Sequence, residues 1–87
     1  MLSLTDCLDF CDLRKEEIEA IAEHEHIPLI IAAELGCELV RTPMGVSLLE
    51  DMFLDNIHHA QELGHLQHAA RLNVVYQRFY QEHHNAQ

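Results

Sequence analysis

The chain has 87 residues, 48% of them hydrophobic, with five Lys plus Arg, fifteen Asp plus Glu and eight His, giving a formal charge of −10 when histidine is neutral. Such an acidic chain repels nucleic acid and anionic membrane, and no run approaches the roughly 18 apolar residues of a membrane span. The length allows one domain, residues 1–87, with a thin core that buries only about 60–65% of the unfolded surface.

Residues 1–11, MLSLTDCLDFC, form an N-terminal segment without the positive region and long apolar run of a signal peptide. The cysteines Cys7, Cys11 and Cys37 are odd in number, which with no leader implies reduced thiols and a cytoplasmic location. Asp6, Asp9 and Asp12 disfavour a thiolate at Cys7 or Cys11, so both read as packing residues.

The first helix is expected from about Asp12 to His26, with Ile18, Ile21 and Ala22 inward, Leu13 at the edge, and Glu16, Glu19, Glu23 and His26 outward. Pro28 ends it and can open the second helix at its first position. That segment, PLIIAAELGCELV, is apolar on nearly every side, which predicts a central helix shared with a second chain; Gly36 either ends it or allows close helix contact. Thr42-Pro43 is one start for the third helix, and the Ser47-x-x-Glu50 capping box is the other. Its core stripe is Leu49, Met52, Phe53, Asn56, Ile57, Ala60 and Leu63; Asp51, Asp55, His58 and Glu62 make a charge-compensated outer strip. Gly64 predicts an antiparallel hairpin, because the apolar faces before and after it differ by roughly 140°. The fourth helix carries Leu66, Ala69, Leu72, Val75, Tyr76, Phe79 and Tyr80 inward, and residues 83–87 read as a frayed tail.

Histidine with carboxylate is the chemistry of transition-metal ligation. Glu-x-x-His occurs as Glu23–His26 and Glu62–His65, the spacing used in di-iron bundles, but Glu23 and Glu62 fall on outer faces, which favours solvated side chains. His65 and His68 form an i, i+3 pair on the inner side of helix four and are the best metal half-site, completed by His59, by His24 or by a symmetry mate. The competing reading is a pair of hydrogen-bonded histidines beside a turn. His24 and His26 at the end of helix one read most simply as capping groups, where a cation suits the helix dipole. Asn56 lies in the core stripe and Asn73 near the inner face of helix four, so the two are expected to pair. No phosphate loop, nucleophile elbow or zinc-protease motif is present, which argues against an enzyme.

The stretch IEAIAEHEHIPLIIAAELG, followed by TPMGV and a final Phe79-x-x-x-His83, resembles a group of small bacterial all-helical proteins of uncharacterised function. The resemblance covers about Leu13 to His83 and implies a helical domain without an assigned activity. Ala60-Gln-Glu-Leu-Gly64 with Ala69 also looks like the hairpin of one tetratricopeptide repeat, which implies local packing alone.

These features predict an all-α, compact four-helix domain with short connections at Pro28, Thr42-Pro43 and Gly64. The function expected is that of a non-enzymatic protein–protein interaction module, a homodimer or a binder of another protein, joined through Leu29, Ile30, Ala33, Cys37 and Val40 and needing no cofactor. The alternative is a metal-binding protein using His65, His68, His59 and His24 with an ion such as zinc or iron; a third reading is a pH-responsive module.

Overall fold

The computed structural model describes residues 13–84, and among these every regular element is helical. The helices are α1 (Lys15–Glu25), α2 (Leu29–Leu39), α3 (Pro43–Glu62) and α4 (Leu66–Phe79), followed by a π-helical turn, Tyr80–His84. This is the all-α four-helix domain that the punctuation at Pro28, Thr42-Pro43 and Gly64 predicts. Cys7, Cys11 and residues 85–87 lie outside the described residues.

Helix ends follow local chemistry. In α1, Glu17 is the third helical residue and reaches back to accept the Arg14 backbone N–H at 2.7 Å. The helix ends at His26, whose φ of 58° is left-handed, the conformation that closes many helices. Pro28 stands just outside α2 as its N-cap, one place earlier than the sequence suggests. For α3 the Thr42-Pro43 start is the one used: Thr42 Oγ1 accepts from the Gly45 N–H at 3.0 Å, and Pro43 opens the helix. Ser47 is an exposed residue within it. Gly64 adopts φ 78° at the α3–α4 turn, where a side chain would be strained.

The core is Leu13, Ile18, Ile21, Ala32, Ala33, Val46, Leu49, Phe53, Ile57, Ala60, Ala69, Leu72 and Phe79, with smaller neighbours. Phe53 and Phe79 meet edge to face, ring centroids 5.2 Å apart. The stripe on α3 is buried as the periodicity predicts, except that Met52 is half-buried and Leu63 is exposed. Leu66 is also exposed, since α4 begins there and its first turn projects past the core.

α1 and α3, not α2, are the helices that touch all three others. The molecule is only 17 Å across its thinnest direction, about two helix layers, so no helix is surrounded. α2 packs on α1 and α3 by its small residues Ala32, Ala33 and Gly36 and turns Ile31, Glu34 and Glu38 outward. The association stripe expected on α2 is therefore not a free face. Ala33 is fully buried, Ile30, Cys37 and Val40 are half-buried, and Leu29 is exposed only at the helix start. Their angular positions fall on or beside the side that α2 presents to its own chain. Cys37 is disulfide-bonded, which corrects the expectation of reduced thiols.

Asn56 is buried and donates from Nδ2 to the Ala20 carbonyl at 2.8 Å, tying α3 to α1. The expected partner, Asn73, is exposed on α4 instead. Asn56→Ala is expected to lower the unfolding free energy by about 1–3 kcal/mol through loss of this buried bond. Urea denaturation with an unchanged m value measures it, and a loss below about 0.5 kcal/mol would show that the bond contributes little.

His83 is not part of a frayed tail. It is buried against Phe79, ring centroids 4.5 Å apart and 32° from parallel, because the π-helical turn continues the helix and lays residue 83 over the preceding turn. Arg14 and Glu82 pair across the same end at 2.5 Å, which holds the Glu82 carboxyl below its ordinary value.

Candidate functional site

The opposite end of α1 opens into a cleft of about 530 Å³. α1 and its cap supply Glu23, His24 and His26. α3 supplies Asp55, His58, His59 and Glu62, and the turn into α4 supplies Leu63, His65 and His68. Six of the eight histidines thus line one concavity, including all four that the sequence suggests as metal ligands.

Two of the six are already engaged. His24 is half-buried, with Nδ1 2.6 Å from Glu25 Oε2 and Nε2 3.0 Å from Asp55 Oδ2. An ionised carboxylate only accepts, so with both partners ionised each ring nitrogen must donate and the ring is an imidazolium. Burial opposes that charge, but the hydrogen bonds to Asp55 and Glu25 outweigh it and raise the His24 pKa above its ordinary value. The sign follows: the stabilisation is complete below the unfolded value near 6.5 and disappears as pH rises through the higher folded value. Asp55 is largely exposed, so solvent screening keeps the contribution small. His68 Nε2 lies 2.7 Å from Glu23 Oε1. Together the two contacts fasten the end of α1 to both arms of the α3–α4 hairpin.

The sequence therefore selects the right histidines for the cleft and misjudges their surroundings. His24 faces the carboxylates of Glu25 and Asp55 rather than capping the end of its helix. Asp55 is a partner for α1 rather than part of a self-compensated strip. His65 caps α4 from outside and is exposed rather than inward, because the helix begins one residue later. His26, His58, His59 and His65 make no side-chain hydrogen bond to the described residues. Among the described residues, no three His, Cys, Asp or Glu side chains stand together closely enough to hold a metal ion as placed.

Glu17 lies away from the cleft and is the functional-type group that the sequence conceals. It is 1% exposed, its Oε2 has no hydrogen-bond partner, and burial, against the lowering effect of the Arg14 N–H bond and with the help of the Glu82 charge, pushes its carboxyl up to about 7. Its place one turn before Ile21 and one after Leu13 is the only sequence signal of burial.

Among the described helices none is long and apolar enough to cross a membrane. No family model, curated protein or solved structure matches the chain.

Proposed function

We propose that the chain is a small non-enzymatic interaction module that self-associates through the tip of the α3–α4 hairpin. The observation that carries this reading is the pair Leu63 and Leu66, which flank Gly64 and are 56% and 69% exposed. Single exposed leucines are ordinary, whereas these two stand one on each arm of the Gly64-His65 turn and give the hairpin tip an apolar knob. Leu63 also forms part of the cleft wall, so the knob is rimmed by imidazoles and carboxylates, the polar border usual for a contact surface. A second copy is its occupant: a two-fold axis through the tip sets each knob against its equivalent, and each Leu buried there contributes about 1.5–3 kcal/mol before association costs. The reading moves the association surface from α2 to the hairpin tip.

Sedimentation velocity is expected to show a concentration-dependent dimer, and Leu66→Glu to shift it to monomer with helix content unchanged. A wild-type chain that stays monomeric at about 100 µM, well above the dissociation constant of a stable pair, rules out self-association. A dimer that survives Leu66→Glu rules out the tip.

A further inference from the structure

We propose that the outer lip of the cleft is a binding site for one divalent transition-metal ion, Zn²⁺ by preference, with His58, His59, Glu62 and His65 as its donors. On α3, Glu62 lies one turn beyond both histidines, at i+4 from His58 and i+3 from His59. Angularly it falls between them, so Glu62 is a one-turn neighbour of each histidine, while the two rings leave the helix about 100° apart. Paired donors at these spacings are what a helix offers a metal. His65 arrives from a different direction. The Gly64 turn reverses the chain, and the His65 N–H bonds the Ala60 carbonyl at 2.9 Å, which fixes the residue at the mouth of the same cleft.

Three further observations favour these donors over His24 and His68. First, His58, His59 and His65 make no hydrogen bond to the described residues, so their ring lone pairs are available, whereas both ring nitrogens of His24 face carboxylates and His68 faces Glu23. Second, the lip is at the carboxy-terminal end of α3, the negative end of the helix dipole, which favours a cation. Third, the chain carries a formal charge of −10, so an incoming cation is attracted from every side. Three imidazoles and one carboxylate satisfy the four-coordinate preference of zinc, and a water can replace any one of them. All four side chains are exposed and so free to turn toward an ion at the lip. The site uses residues of one chain and stands whether or not two chains associate.

Isothermal titration of the full chain with ZnCl₂ is expected to show one ion per chain, with Kd on the order of micromolar. His58→Ala/His65→Ala is expected to weaken it by about tenfold or more, with an unchanged far-ultraviolet circular dichroism spectrum, while Gln61→Ala binds as wild type. Co²⁺ substitution is expected to show d–d bands of nitrogen and oxygen ligation without the strong near-ultraviolet thiolate band. Absence of binding at about 100 µM zinc, a double variant within about threefold of wild type, or a thiolate band would each overturn the assignment.

Discussion

Gly45→Ala is expected to cost about 3 kcal/mol or more and to lower the melting temperature by well over 10 °C. Gly45 is the third residue of α3, and its N–H satisfies the Thr42 cap. A methyl group there would overlap the backbone carbonyl of Leu39, the last residue of α2. That carbonyl cannot swing aside as a side chain can, so the corner between α2 and α3 must open. Alanine would otherwise favour the helix by up to about 1 kcal/mol, and the sign of the measured change therefore reports the overlap directly. Gly36→Ala is the internal comparison. Its methyl meets Leu13 Cδ1 at 2.5 Å and Ile21 Cδ1 at 2.8 Å, both tips of side chains that can turn, so a smaller loss is expected. Thermal melts by circular dichroism measure both. A Gly45→Ala protein that melts within a degree or two of wild type, a change below about 0.5 kcal/mol, would show that the corner is not close-packed.

Glu17→Gln is expected to stabilise the protein at pH 8 and to leave it nearly unchanged at pH 4. The carboxyl titrates near 4.5 when unfolded and about 7 when folded. Between those values the folded state holds the extra proton, so stability falls as pH rises through the window and is lowest above it. The difference corresponds to a gain of about 3 kcal/mol at pH 8, because the unpartnered amide N–H₂ replaces an equally unpartnered carboxyl O–H and costs little more at either pH. The amide oxygen retains the bond from the Arg14 N–H. Urea denaturation at the two pH values is the measurement. An equal effect at both would mean that Glu17 acts through packing and not through charge.

The helical frame was legible because its breaks are local. Pro28, Thr42-Pro43 and Gly64 each act on their own backbone, and the apolar stripe of α3 has one period throughout. α2 was misread because its small residues, Ala32, Ala33 and Gly36, do not look like a packing face beside five larger aliphatic residues of the same helix, although small residues are what let two helices approach closely. Glu17 was hidden by its chemistry: it stands at a core spacing between Glu16 and Glu19, and a carboxylate is not expected at such a position. The cleft could not be assembled from the sequence because its walls come from α1, α3 and the turn into α4. The individual histidines were visible, but whether an imidazole meets a carboxylate of another helix depends on how the helices pack.

The contacts that fasten α1 also carry a kinetic consequence. Asn56–Ala20, His24–Asp55, His68–Glu23 and Arg14–Glu82 span 36, 31, 45 and 68 residues respectively, whereas α3 and α4 are joined by a turn of three residues, Leu63 to His65. Long loops close at greater entropic cost and the hairpin at little, so the α3–α4 hairpin is expected to form first and α1 to dock after the rate-limiting step. Interactions formed that late act on the escape rate alone. The polar fastenings of α1 therefore set the lifetime of the native state rather than the speed at which it is reached, and stopped-flow unfolding of Asn56→Ala, faster than wild type at equal refolding rate, is where that division becomes visible.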